Sequence, residues 1–287
     1  MTKKASVKKI ACQGVDGSFS GIAARRAFPN ASVSFFPSFD GVLFAVKEKK
    51  ADFAIIPVEN SEAGRVADIH TLLPDSGLFI VGEHFLRIEH HLFGVKETSL
   101  PRIKRAMSHI QALTQCSNTL KSLKIEPVAG TNTALSAQYV AERNDPSLAA
   151  VASKEAGELY GLALLKSNVE DSGDNTTRFL IVSSEQARLD PKQPAITSFV
   201  FRVKNKPASL YKCLGGFATN GINILRLESY VDPKNFTSAG FFADILAGPE
   251  TSGFGYAFEE LAFFSEKIQI LGTYNIDPYR LKFPGWP

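Results

Sequence analysis

Asn175-Thr176-Thr177-Arg178-Phe179 puts an amide, two hydroxyls and a guanidinium into four consecutive residues, directly before the apolar run Phe179-Leu180-Ile181-Val182. Hydroxyl and amide groups can hold a polar ligand by hydrogen bonds, and an arginine fork can pair with a carboxylate. On a strand, Thr177 and Phe179 share one face and Arg178 points to the other. Taken alone, the same residues also describe a loop that enters a strand and carries a surface arginine.

Four further polar clusters fall where a predicted strand gives way to a predicted helix. They are Gly14 to Ser20, Glu59-Asn60-Ser61, Ser108-His109-Ile110-Gln111 and Gly130-Thr131-Asn132-Thr133. Substrates of open α/β sheets bind at such carboxyl ends. Each cluster has a bland reading, because Ser18, Ser61 and Thr133 are also ordinary helix N-caps. Several helix starts converging on one crevice would nevertheless offer free N–H groups and positive dipole ends, an anion site that needs no basic patch. The phosphate-cradling patterns G-x-x-x-x-G-K-[ST] and G-x-G-x-x-G are absent.

Other chemistries are poorly served. His90 and His91 are adjacent and diverge on a strand, and His70, His84 and His109 have no partner at metal-ligand spacing. Ser108-His109 has no third orienting residue, and G-x-S-x-G is missing. Cys116 falls inside a predicted helix without a basic neighbour, which describes a buried small residue better than a nucleophile.

The elements that must position these clusters can be read from periodicity. Short apolar strands alternate with amphipathic helices over the first ~180 residues, which predicts α/β units with largely parallel pairing. Predicted strands include 9–11, 33–36, 53–58, 103–107, 148–151 and 177–182. Predicted helices begin near Ser18, after Ser38, over 111–120, over 133–142 and after Ser153. Residues 78–95 read as extended and carry the chain into a second lobe. The polar stretch 184–195, with Pro191 and Pro194, is the candidate linker. Beyond it the predicted order is βαββαβ, the ferredoxin-like pattern.

With hydrophobic residues at 44% and charged residues at 21%, the chain can bury a core without staples. A formal charge of +3, with basic residues scattered apart from the Met1–Lys9 tail, argues against nucleic acid as a partner. No apolar run is long enough to span a membrane. The start Thr2-Lys3-Lys4 is not followed by a signal-type stretch, and the three cysteines are scattered. A cytoplasmic location is the expectation.

The wording and order of the clusters resemble the prephenate dehydratase family. Gly14 to Ser20 is similar to its G-x-x-G-[ST]-[FY]-[ST], and Pro57-Val58-Glu59-Asn60-Ser61 to its P-[IV]-E-N-S. Ser108 to Cys116 is similar to S-H-x-Q-A-L-x-Q-C, Ala152 to Leu162 to A-S-x-x-A-x-x-L-Y-G-L, and Asn175 to Phe179 to N-x-T-R-F. The resemblance implies an α/β fold. Its catalytic domain is two-lobed and periplasmic-binding-protein-like, over 1–184 (one lobe about 1–85 plus 168–184, the other about 86–167). A ferredoxin-like ACT domain follows over 196–287. It implies Thr177, Arg178, Asn60, Ser61 and Gln111 as catalytic residues, and Ser18, Ser108, His109, Thr133, Asn175, Thr176 and Phe179 as substrate-binding residues. The effector residues it implies are Ala208, Ser209, Leu210, Asn223, Ile224, Glu228 and Ser229.

The implied reaction is decarboxylating dehydration of prephenate to phenylpyruvate. It needs neither cofactor nor metal, since aromatisation drives it. The implied effector is phenylalanine, and the implied assembly is a homodimer or homotetramer. Tyr230-Val231 stands where the family has Arg-Pro, and Ala208 where it usually has glycine, which weighs against phenylalanine binding. The alternatives are arogenate dehydratase, a non-catalytic metabolite sensor, and a tail domain that serves only dimerisation.

Overall fold

The computed structural model describes residues 7–232 and 235–283, so the basic start Thr2-Lys3-Lys4 lies outside the described residues. The elements run β1 (Lys9–Gln13), α1 (Phe19–Ala27), β2 (Ser32–Phe36), α2 (Phe39–Lys47), β3 (Phe53–Asn60), β4 (Gly64–Arg65), α3 (Ile69–Leu72), β5 (Phe79–Arg87), β6 (His91–Gly94), β7 (Arg105–Ser108), α4 (Ile110–Gln115), α5 (Ser117–Ser122), β8 (Glu126–Ala129), α6 (Thr133–Arg143), β9 (Leu148–Ala152), α7 (Lys154–Leu159), β10 (Ala163–Lys166) and β11 (Thr176–Ser183). After 184–194 come β12 (Ala195–Val203), α8 (Ser209–Thr219), β13 (Ile224–Asp232), β14 (Asn235–Ile245), α9 (Phe254–Phe264) and β15 (Ser265–Asn275).

Among the described residues the strands form three sheets, ordered β2-β1-β3-β11-β5 (with β4 on β3), β10-β6-β9-β7-β8 and β13-β14-β12-β15. The chain divides into two compact units. One comprises 1–45, 54–67 and 84–179; the other comprises 46–53, 68–83 and 180–287.

In the first unit the strand-to-helix junctions are set by capping side chains. Ser18 Oγ accepts from the N–H of Gly21, Asn132 Oδ1 from Leu135, and Ser153 Oγ from Ala156, each satisfying an orphan donor of the first turn. Gly17, at φ +80°, has no room for a side chain: a Cβ there would lie 2.9 Å from Ala156 Cα. That close approach brings the loop after β1 against α7, and Ser153 Oγ ties it by donating to the carbonyl of Gly17. Apolar faces of α4, α5 and β6, β7, β9 pack together through Leu92, Ala106, Leu113, Cys116, Leu120 and Val151.

Pairing here is mixed where mainly parallel pairing was expected. β7 runs parallel to β8 and β9, but β6 is antiparallel to β9 and β10 to β6. The strands 126–129 and 163–166 carry no periodic apolar signal in the sequence because they are short edge strands with largely exposed side chains. The helix expected over 111–120 breaks at Cys116 (φ −112°, ψ 10°) into α4 and α5.

In the second unit, β12-α8-β13-β14-α9-β15 reproduces the βαββαβ order, and its sheet is antiparallel along β13-β14-β12-β15. Phe199, Phe201, Phe217, Phe241 and Leu261 form the core beneath the two helices.

Candidate active site

A cavity of about 200 Å³ opens in the first unit. Four polar segments reach it: Asn60 at the end of β3, Gln111 and Gln115 on α4 with His109 ahead of it, Asn132-Thr133 at the start of α6, and Thr177 on β11. Phe19 and Ser20 open α1 on its rim, and Pro57, Ile88 and Phe179 supply apolar wall. Among the described residues that line it there is no lysine, arginine, aspartate or glutamate. Positive potential comes instead from the helix starts of α1 and α6, whose first-turn N–H groups have no intrahelical partner.

Thr177 is held by a side-chain network. Asn60 Nδ2 donates to Thr177 Oγ1 at 2.9 Å and to Asn175 Oδ1 at 2.7 Å. Asn60 Oδ1 accepts the backbone N–H groups of Glu62 and Ala63, at 3.1 and 2.8 Å. Asn175 Nδ2 donates to Gln115 Oε1 at 2.9 Å. Every amide here is neutral and geometrically committed, an arrangement that costs little to bury because each polar group has a partner. His109 Nδ1 accepts the N–H of Gln111 at 3.3 Å, so its proton is carried on Nε2.

The structure brings Asn60, His109, Gln111, Thr133, Thr177 and Phe179 together around the cavity. Other candidates serve different ends. Arg178, expected to meet a substrate carboxylate, is only 3% exposed and its Nη1 lies 3.8 Å from Glu59 Oε2. Strand alternation turns it away from the face that Thr177 and Phe179 present to the cavity. Asn175, expected to touch substrate, has no exposed surface and acts behind the wall through Asn60 and Gln115. Ser108 is fully buried and donates to the Val151 carbonyl. Ser61 Oγ donates to the Asp174 carbonyl and accepts from the N–H of Thr176, fastening the 174–176 segment. Ser18 is spent on its capping bond, and neither it nor Thr176 lines the cavity.

Three residues not among the expected site residues also line the cavity: His90, Gln115 of the Ser108–Cys116 motif and Asn132 of the Gly130–Thr133 cluster. His90 Nε2 lies 3.1 Å from Gln115 Oε1, its ring meets Phe19 edge-on, and it lines the cavity. Burial holds its pKa below the ordinary histidine value, against the hydrogen bond to Gln115 and the nearby Glu170 carboxylate. The usable signal was a histidine placed between Ile88 and Leu92, at strand spacing. Cys116 is buried, and burial pushes its thiol up, out of nucleophilic range.

In the second unit the effector candidates sit at two element starts. Ala208 caps α8 in the left-handed conformation (φ 62°, ψ 14°), followed by buried Ser209 and by Leu210, which packs on the core. Asn223 and Ile224 open β13. Along that strand, Glu228 Oε1 accepts from Arg226 Nη2 at 2.8 Å, and Ser229 pairs with Phe241. Tyr230 stacks on His70, with ring centroids 4.3 Å apart at 22°.

Among the described residues, no cluster of His, Cys, Asp or Glu could hold a metal ion, and no helix is long and apolar enough to cross a membrane. The fold is α/β, and the cavity is lined by neutral polar side chains and apolar wall, with room for a small molecule. The family model for prephenate dehydratase matches residues 10–187. A bifunctional N-acyl-homoserine lactone acylase/prephenate dehydratase of Komagataeibacter europaeus is 44% identical over 95% of this chain and 98% of its own. The arogenate dehydratase/prephenate dehydratase 1 of Arabidopsis thaliana is 35% identical, covering 95% of this chain and 73% of the relative. Among solved structures, the prephenate dehydratase from Arthrobacter aurescens in complex with L-Phe superposes with a TM-score of 0.85 at 26% identity, over 93% of this chain and 90% of that one. The chain belongs to the prephenate dehydratase family.

Proposed function

We propose that this chain catalyses the decarboxylating dehydration of prephenate to phenylpyruvate. The observation that carries the reading is the position of Thr177: its Oγ1 accepts from Asn60 inside a cavity whose other polar contributors are helix starts and neutral amides. In the reaction the substrate dianion breaks its bond to the ring carboxylate and its bond to the ring hydroxyl. Carbon dioxide and hydroxide leave, and the electron pair from decarboxylation completes the aromatic ring. Hydroxide is the poor leaving group, so help is needed at that oxygen. Thr177 donates its hydroxyl hydrogen there. A threonine is too weak an acid to surrender the proton early, so it acts by stabilising developing charge, a contribution on the order of 10²–10³ in rate. Gln111, Thr133, Ser20 and the Nε2–H of His109 hold the carboxylates, with the α1 and α6 dipoles behind them.

The catalytic domain spans 1–184. The segment 196–287 is an ACT domain that binds phenylalanine or pairs two or four copies of the chain. Its βαββαβ order supports this, as does the relative whose structure contains L-Phe. The protein works in the cytoplasm.

Purified protein mixed with prephenate and followed by phenylpyruvate absorbance, with and without phenylalanine, tests this. Absence of phenylpyruvate overturns it. Competition between prephenate and arogenate decides the preferred substrate. One further reading has a specific support, the relative 44% identical along both chains that also bears the name of an acylase. Release of homoserine lactone from an N-acyl-homoserine lactone tests it directly.

A further inference from the structure

The hydrogen-bond directions in the cavity wall can be deduced from the backbone outward. The N–H groups of Glu62 and Ala63 both point at one atom of the Asn60 amide, which must therefore be its oxygen. The other atom, Nδ2, is then the donor toward Thr177 Oγ1 and Asn175, so the facing atom of Asn175 is its oxygen. Asn175 Nδ2 consequently donates to Gln115, whose facing atom is Oε1. The remaining Gln115 amide nitrogen, 3.4 Å from Asn60 Oδ1, agrees with that assignment. His90 Nε2 faces the same Gln115 Oε1 at 3.1 Å. Two lone pairs cannot meet there, so Nε2 carries the proton and Nδ1 is bare. Consistently, Nδ1 is buried and has no hydrogen-bond partner among the described residues. The main chain of His90 is pinned on both sides, its N–H donating to Glu170 Oε2 and its carbonyl accepting from Val169.

We infer that His90 is a positioning residue for Thr177: as the Nε2–H tautomer it donates to the same Gln115 Oε1 that accepts from Asn175, and so braces the Gln115–Asn175–Asn60 network whose Asn60 amide, held by the Glu62 and Ala63 N–H groups, makes Thr177 Oγ1 an acceptor and leaves the threonine proton to the cavity. Among the described residues Thr177 has no other side-chain hydrogen bond, so its proton is left for a ligand. The inference deepens the proposed function and rests on it for the identity of the leaving oxygen. It also removes His90 from the pool of acids, because its one proton is already engaged.

The test has two arms on the full chain. In ¹⁵N-histidine-labelled protein, the signals lost in His90→Gln identify His90. A pyrrole-like Nε2 and a pyridine-like Nδ1 at neutral pH are expected. A protonated Nδ1 overturns the inference; where His90→Gln does not fold, sequential through-bond assignment of the wild-type protein identifies the His90 signals instead. In the kinetic arm, His90→Leu lowers kcat about 10–100-fold while KM stays within about 3-fold of wild type. His90→Gln, whose amide N–H can replace the Nε2 donor, recovers most of the loss. A raised KM with unchanged kcat in His90→Leu overturns the inference, since that is the mark of a residue that contacts substrate. A wild-type chain inert toward prephenate and arogenate sinks the proposed function instead, and the tautomer measurement then still rules on His90.

Discussion

The cavity of the first unit and the βαββαβ module of the second solve the burial of polar groups in opposite ways. Around Thr177 the partners are neutral: two asparagines, a glutamine and a histidine with burial-lowered pKa, each with donor and acceptor roles fixed by its neighbour. In the second unit, beside neutral pairs such as Thr197 with the Ala247 carbonyl, charged side chains answer each other. Arg226 donates to Glu228, and Arg280 grips Glu83 through Nε and Nη2. Matched ions fix a fold but are already satisfied. A neutral network with one hydroxyl proton left over is poised for a charge that arrives later, and it does not repel a dianion. The location of the charges thus separates the part built to react from the part built to hold shape.

Neighbouring residues Thr177 and Arg178 sharpen that contrast most. Thr177→Val keeps shape and removes the donor, so kcat should fall by about 10²–10³ with KM little changed and the melting profile intact. A variant with wild-type kcat would remove Thr177 from the mechanism. Arg178→Met should do the reverse. Arg178 is buried against Glu59 and absent from the cavity lining, so the cost is stability, ~2 kcal/mol, read by chemical denaturation, with KM for prephenate unchanged. A raised KM would restore the carboxylate-pairing role first expected of it and blur the division between neutral site and charged scaffold.

Those two residues also show what the sequence could reveal. Period-two alternation already placed Thr177 and Arg178 on opposite faces, yet a guanidinium beside a hydroxyl suggested joint binding, and the family pattern strengthened that suggestion. Composition cannot tell a ligand-facing arginine from one answered by Glu59, because the answer is 119 positions away in the chain. The same holds for Asn175, Ser61 and Ser108, whose partners are Asn60, Asp174 and Val151. Helix starts were easier, since an N-cap bonds three residues ahead: Ser18, Ser38 and Ser153 all accept there. Edge strands with exposed faces, and the break at Cys116, left no periodic trace.

A smaller effect tests whether charge in the first unit serves shape alone. Asp171 lies outside the neutral cavity wall and accepts the N–H groups of Asn118 and Thr119, at 2.9 and 3.0 Å, over the start of α5. Burial raises its pKa somewhat, but the N–H donors outweigh that and hold it below the usual aspartate value. A depressed folded-state pKa means the stabilisation is present above the unfolded-state value near 4 and fades as pH falls through the folded one. Asp171→Ala should cost about 1 kcal/mol at pH 7, trimmed by solvent and salt because the group is exposed. The gap to wild type should close below pH ~4. A gap that persists at low pH would mean the side chain acts through packing.

The smallest expected effect lies in the second unit, at Ala208. An alanine held at φ 62° bears roughly 1–2 kcal/mol of left-handed strain. Glycine relieves the strain but enters from a more mobile unfolded chain, which returns about 0.5–1 kcal/mol. Ala208→Gly should therefore stabilise by about 0.5 kcal/mol in chemical denaturation. Calorimetry with phenylalanine gives the same variant a second use. Heat from Ala208→Gly but not from wild type would mean that a single Cβ at the start of α8 bars close approach of the ligand to the backbone. No heat from either would place the obstacle at Tyr230, whose ring is stacked on His70. The module would then be left with dimerisation as its work.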